Sequence, residues 1–377
     1  MLDTSTETLD RLRGVGDPVV DDLVAEHLTS HGPESLEHLL RDLFRMQRLP
    51  AGEPWVLRYL AALPRNNLVE PEVIARGQRL FGLYGPEVLM ILGSYSLHLA
   101  YAAGHGVQAV YRSRRLKDDP IRRLCDTAQM VINVMQPGGL AEGRIGWLAT
   151  RKVRLIHALI RHRLLSDTSN PWLEEWGVPI NQEDQAGTLL TFSIATLDGL
   201  RKMGVKVSSA DAAAYIQAWS AVGRLLGVEA SLLPSSEEGA MFLARRISQR
   251  HVRSTPEGRH LAEQLLSSVQ TLYPVPGYAV SLTHFFLQDA VFGDGVAAAL
   301  DIPKPNWTKW LVAARARQKR VALRASRWVP GARRRRSWIA RHFAQRLILF
   351  LRPDAQTPFE VPPAFKRCWG LEEHSLT

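Results

Sequence analysis

Residues 152–165 read Lys-Val-Arg-Leu-Ile-His-Ala-Leu-Ile-Arg-His-Arg-Leu-Leu. At about 3.6 residues per turn, Val153, Leu155, Ile156, Ala158, Leu159, Ile160, Leu164 and Leu165 make this helix apolar on most sides. Such a helix belongs inside a protein, where its few polar residues need partners. Offsets of three and four return to one face, so Arg154, His157 and Arg161 are expected to point together at one buried object. An imidazole flanked by guanidiniums suits an anionic, metal-containing cofactor. Haem is one, since its iron accepts a histidine nitrogen and its propionates attract arginine. The same spacing on an exposed helix would be an ordinary solvated face, and it is the apolar surroundings that favour the buried reading.

About thirty residues earlier, Arg123 and Thr127 lie four apart and share a face, so their helix can supply a second wall of the same pocket. Cys125 lies two residues from each and faces the opposite side, which disfavours a thiolate-ligated haem. Elsewhere, 3.6-residue periodicity bounded by Pro and Gly recurs and alternating strand patterns are scarce. Helices are predicted near 17–30, 34–46, 71–84, 86–112, 119–135, 146–165, 182–203, 208–226, 236–252, 256–272 and 278–300, giving an all-α fold. Pro71 and Pro86 suit first-turn positions, Pro137-Gly138-Gly139 stops a helix, and Ser208 or Ser209 can cap the next.

The chain has 377 residues, of which 46% are hydrophobic and 22% charged, enough for a sizeable core and against wholesale disorder. Two cysteines, Cys125 and Cys368, make no disulfide framework. The first thirteen residues carry acids and no apolar stretch, so no secretory signal is expected and the chain reads as cytoplasmic. The apolar stretch Val88 to Ala103 is short for a bilayer span and reads as a core helix. Residues 304–377 hold 17 Lys and Arg against 4 Asp and Glu, leaving 30 against 33 before them, so the net charge of +10 belongs to the tail. With Asp301-Ile302-Pro303 as a boundary, the chain divides into a helical domain, 1–302, and a basic Trp/Arg-rich extension, 303–377. In that extension Trp338 to Arg352 sets Ile339, Phe343, Leu347 and Phe350 opposite Arg341 and Arg346. Two readings stay open: peripheral contact with an anionic membrane or a partner, or a tail helix packed on the domain with its arginines in water. Nucleic acid is disfavoured, because no recognised binding motif accompanies the charge.

Several separated blocks carry a resemblance in the right order: Arg123-Leu-Cys-Asp-Thr127-Ala-Gln-Met, Met135-Gln-Pro-Gly-Gly-Leu140, Lys152-Val-Arg154-Leu-Ile-His157-Ala-Leu-Ile-Arg161, Gly177-Val-Pro-Ile-Asn181-Gln182-Glu183-Asp184, Thr191-Phe-Ser193, and Tyr215 with Trp219, Gly223 and Gly227. Over residues 15 to about 300 the chain resembles the haem-binding oxygenases that include the latex-clearing proteins and the MpaB-like enzymes. The resemblance implies a single large helical bundle enclosing a b-type haem. It makes His157 the proximal iron ligand and Arg123, Thr127, Arg154 and Arg161 cofactor-binding residues, with Arg123 and Thr127 also catalytic. It implies dioxygen as co-substrate and oxidative cleavage of a carbon–carbon double bond in a lipophilic, isoprenoid-like molecule.

The chain departs from that pattern on the distal side. Some latex-clearing proteins have a lysine just before the threonine and an acid in the preceding helix. Here the first position is Asp126, and the preceding helix offers His98, Tyr101 and His105 after Glu87. His98 or His105 is the better distal candidate, while Asn181-Gln182-Glu183-Asp184 reads as a capped helix start. The competing function, of a different class, is a non-catalytic helical protein that binds membranes or partners through its basic tail. Oligomeric state is not legible.

Overall fold

The computed structural model describes residues 4–32, 34, 35, 38, 39, 54–63, 69–113, 120–288, 292, 295–326, 331, 334–339 and 342. Among them the architecture is all-α, and one isolated antiparallel bridge, Ala103 to Val252, is the whole of the β-structure. In chain order the helices are α1 (Thr6–Arg13), α2 (Pro18–His31), α3 (Pro54–Ala62), α4 (Pro71–Ile91), α5 (Leu97–Tyr101), α6 (Gly106–Arg112), α7 (Pro120–Met135), α8 (Ile145–Ser166), α9 (Gln182–Phe192), α10 (Ile194–Lys202), α11 (Ser209–Leu226), α12 (Glu237–His251), α13 (Pro256–Gln270), α14 (Tyr278–Leu287), α15 (Val296–Ala299) and α16 (Thr308–Ala325). A π-helical turn, Leu92–Ser96, links α4 to α5.

Local chemistry sets the boundaries. Asn181, Ser208, Ser236 and Thr255 each accept a backbone N–H from the first turn of the helix they precede. The two helices predicted from Pro71 and Pro86 run together with a kink at Tyr84 (φ −130°, ψ 22°), because Pro86 lacks an N–H and its ring crowds the preceding turn. The helix predicted over 182–203 breaks at Ser193. There Ser193, Thr191 and Thr196 hydroxyls donate to the carbonyls of Leu189, Thr188 and Phe192, a local competition that bends helices.

One large core joins α4, α5, α7 and α9 to α14, with Trp219, Tyr215 and Phe286 among its largest fully buried side chains. A second, smaller core packs Val20, Val24 and Leu28 of α2 and Tyr59 and Leu60 of α3 against Leu155, Ile156, Ala158 and Leu159 of α8. Helix α8 is therefore covered by α2 and α3 on one side and by α7 on another, which accounts for its all-round apolar sequence. The run Pro71–Tyr101 is long and apolar enough to cross a membrane, and 67% of its apolar window is buried inside the protein. The start of the basic extension is docked: Thr308 at the head of α16 donates to the Gly277 carbonyl (3.0 Å) and contacts Ser281 Oγ (2.7 Å) on α14. Most of the predicted amphipathic segment 338–352 lies outside the described residues.

Candidate functional site

Helices α5 to α9 and α11 to α12 enclose a cavity of about 850 Å³, lined mainly by apolar side chains. Phe192 and Trp219 stack on its wall with ring centroids 5.2 Å apart. The volume falls in the upper part of the roughly 300–1,000 Å³ typical of small-molecule and cofactor sites.

Helix α8 faces this space through Ala149, Lys152, Val153, Ile156, Ile160 and Arg163, with His157 at the edge of the same face. Advancing about 100° per residue puts Arg154 and Arg161 further round, beyond that edge. Both are buried and fully engaged elsewhere. Arg154 grips Asp17 with two parallel hydrogen bonds, Nε to Oδ2 at 2.5 Å and Nη2 to Oδ1 at 2.8 Å. Arg161 pairs with Asp21 and donates from Nε to the Pro179 carbonyl (2.8 Å) and from Nη2 to the Ile180 carbonyl (3.0 Å). Gly227, in the left-handed region at φ +86°, makes room for the Arg154 guanidinium: a Cβ there would lie 2.6 Å from its Cζ. The expectation that Arg154, His157 and Arg161 meet at one object is thus corrected. Two carboxylates four residues apart, Asp17 just before α2 and Asp21 in its first turn, take the two arginines and leave His157 alone of the three toward the cavity.

His157 is half-buried on the wall, and its Nδ1 is buried without a hydrogen-bond partner. Burial, then the nearby Arg161 cation, hold its pKa down at about 4, while Gln185 and Asp17 oppose the shift. The ring is neutral at pH 7, and its Nδ1 is left over by the fold. Arg123 and Thr127 of α7 line the same cavity, as expected. The Arg123 guanidinium stands 5.1 Å from the centroid of Tyr101, itself a wall residue, and the Thr127 hydroxyl donates to the Arg123 carbonyl (3.0 Å). Asp126 lines the cavity, whereas Cys125 is buried away from it.

The wall also carries groups with no local sequence signature. His251, at the end of α12 and 5% exposed, contacts Glu183 through Nε2 at 2.9 Å. Glu183 is fully buried and also accepts from Arg250 Nε (2.7 Å) and Arg13 Nη1 (3.3 Å). Its burial would raise the carboxyl pKa, but His251 and Arg250 outweigh that, so it is lowered overall. Asp184 lines the cavity next to it and exchanges hydrogen bonds with Asn181 (2.9 and 2.8 Å), the expected capped helix start. Burial raises the Asp184 carboxyl against the pull of Arg13. Neither expected distal histidine lines the cavity. His98 is fully buried, with both ring nitrogens unpartnered and its pKa lowered to about 3 by burial. His105 stands behind the wall, its Nε2 on Arg253 Nη1 (2.8 Å) and its ring 6.2 Å from that of His251.

Comparison with known proteins gives the chain its family. Residues 75–347 match the family described as "ER-bound oxygenase mpaB/B'/Rubber oxygenase, catalytic domain". The chain is 27% identical over 234 residues to the rubber oxygenase of Streptomyces sp. (strain K30). That alignment takes in 60% of this chain and 56% of the relative, so the chain spans a little over half of that relative's length. In fold it is similar to the latex clearing protein in its closed state, with a TM-score of 0.68 and 21% identity over 93% of this chain and 94% of the other. The match over residues 75–347 takes in well over half of the sequence, and the chain belongs to the family of mpaB/B' and rubber oxygenase catalytic domains.

Proposed function

We propose that the chain is a haem b-dependent oxygenase that uses dioxygen to cleave a carbon–carbon double bond in a lipophilic, isoprenoid-like substrate. One observation carries the reading: a neutral imidazole, His157, stands on the wall of a large apolar cavity with polar capacity that the fold does not use. Family membership supports the class of reaction. Haem, when bound, supplies the redox chemistry that dioxygen needs.

The residues present fit that group. A ligating histidine must be unprotonated, and burial keeps His157 so. Among the described residues no three His, Cys, Asp or Glu gather to hold a metal ion, so an iron on His157 relies on its porphyrin for the remaining ligands. The propionates fall to cations on the wall itself, Arg123 of α7 and Lys152 and Arg163 of α8, rather than to Arg154 and Arg161. Those two act as positioning residues, fixing the height and rotation of α8 against α2. Thr127 and Arg123 border the reacting space, and the apolar wall excludes water from it. Asp126, Asp184 and His251, the last oriented by Glu183, are wall groups able to take or give a proton beside the substrate. The cavity and its wall belong to the proposed catalytic domain, 1–302.

Adding haem to the purified chain tests this. A Soret band that forms in the wild type and is lost or displaced in His157→Ala supports the assignment. Absence of the band in the wild type sinks it.

A further inference from the structure

We propose that the outward face of α16 forms a docking surface for the headgroup region of an anionic lipid bilayer. The proposal is independent of what the cavity does.

Helix α16 buries Thr308, Val312 and Ala316, three positions at i, i+4 and i+8 that seat it on α14. The side of α16 turned away from the protein would ordinarily be polar. Instead, at about 100° per residue, the direction opposite the seat falls on Trp310, Ala314, Arg317 and Val321, flanked by Trp307 and Arg324. Trp310 is 70% exposed, Trp307 64% and Val321 58%. Among the described residues, nothing packs over the two bare indoles and the valine on that side. Separately, in the helical stretch 334–339, Trp338 and Ile339 are also exposed, at 56% and 45%.

The charge around these side chains selects the partner. Residues 304–353 contain no Asp or Glu, and Lys304, Lys309, Arg317 and Arg324 are exposed along the same segment. The Lys309 ammonium lies 5.3 Å from the Trp310 ring centroid, so apolar and cationic groups are interleaved rather than separated. Indoles beside arginine and lysine match the water–lipid boundary, where the ring sits among headgroups and the cation meets phosphate. The helix is already folded and seated, so it adds its outward face to a membrane without giving up a contact.

Full-length protein is mixed with vesicles of neutral phosphatidylcholine, with or without 30% phosphatidylserine as an assay choice of about that fraction, and pelleted at low and high salt. The expected result is binding to the anionic vesicles that weakens as salt rises. Arg317→Gln and Arg324→Gln each weaken it about fivefold. The pair Trp307→Gln and Trp310→Gln weakens it at least about tenfold, by removing the apolar contact. All four residues are on the exposed side, and unchanged thermal unfolding of the variants confirms that the seat on α14 holds. Three results overturn the proposal: no binding to anionic vesicles, binding that the four substitutions leave unchanged, or binding of single-stranded RNA in place of vesicles. Self-association that the tryptophan substitutions abolish, with no vesicle binding, assigns the face to a second copy and overturns it equally.

Discussion

Replacing Arg154 with methionine separates a structural arginine from a cofactor-pairing one. Its guanidinium is held in a bidentate pair with Asp17, and the two side chains are 6% and 5% exposed. Removing either partner leaves the other charge buried and uncompensated, which costs about 3–5 kcal/mol. That is a large part of the roughly 5–15 kcal/mol by which a domain is stable. Asp17 makes no side-chain capping bond to α2, so Asp17→Ala reports the pair and not a lost cap. Urea unfolding of the cofactor-free protein, followed by circular dichroism, is expected to show a loss of about 3–5 kcal/mol for Arg154→Met and for Asp17→Ala. The double variant should lose clearly less than the sum, because each single change already abolishes the pair. A cofactor-free Arg154→Met protein within about 0.5 kcal/mol of wild type, combined with weakened haem uptake, would refute the reasoning and return Arg154 to the propionates.

Arg123→Ala removes a wall cation and is expected to weaken haem binding about tenfold, the worth of one charge-assisted hydrogen bond, with little change in unfolding of the cofactor-free chain; equal haem affinity would exclude Arg123 as a propionate partner. His98 is neutral in the folded protein, with its pKa lowered to about 3, whereas an unfolded histidine protonates near 6.5. Its contribution to stability is therefore complete above about pH 6.5 and is lost as pH falls toward the folded value, at about 1.4 kcal/mol per pH unit. Unfolding free energies measured between pH 7 and 4 should include this slope on top of those of His157 and His105, whose pKa values are also lowered, and His98→Leu should reduce the total by about 1.4 kcal/mol per pH unit; an unaltered slope would assign the acid sensitivity elsewhere. His251→Gln keeps a donor for Glu183 while removing the imidazole, so turnover should fall while the haem spectrum stays the same. Wild-type turnover in that variant would remove His251 from proton handling.

Much of the fold is legible from local signals. The predicted starts at 17, 119, 146, 182, 208, 236 and 256 agree with α2, α7, α8, α9, α11, α12 and α13 to within a residue, because, except at α8, proline, serine, threonine or asparagine acts on its own first turn. The breaks are less legible. Periodicity runs unbroken through Ser193, and through 102–105, where the Gly104 N–H leaves the helix for the His251 carbonyl (3.0 Å). A Cβ at Gly104 would lie 2.2 Å from the Arg253 side chain, so this crossing depends on a residue nearly 150 positions away. The site divides in the same way. Spacing brings His157, Arg123 and Thr127 to one cavity, since the two helices need only face a shared space. It misplaces Arg154 and Arg161, because nothing near them in sequence announces Asp17 and Asp21. His251 and Glu183 become a pair only through the packing of α12 on α9. Glu183, with acids beside it at a helix start, had a sufficient local explanation already.

The ties made by the first two helices bear on the order in which the chain can fold. Asp10, Arg13, Asp17 and Asp21 find Arg250, Glu183, Arg154 and Arg161 across 240, 170, 137 and 140 residues. A nascent chain presents these groups first and must hold them in water until α8, α9 and α12 exist. Contacts of such long range slow folding and leave intermediates with an exposed α8. The family match begins only at residue 75, so a fragment cut at that boundary keeps His157, Arg123 and the cavity wall but loses the counter-charges of Arg154 and Arg161. Supplying residues 1–31 as a separate peptide should then restore its solubility. In this chain the N-terminal segment supplies the counter-charges that hold α8 against the site.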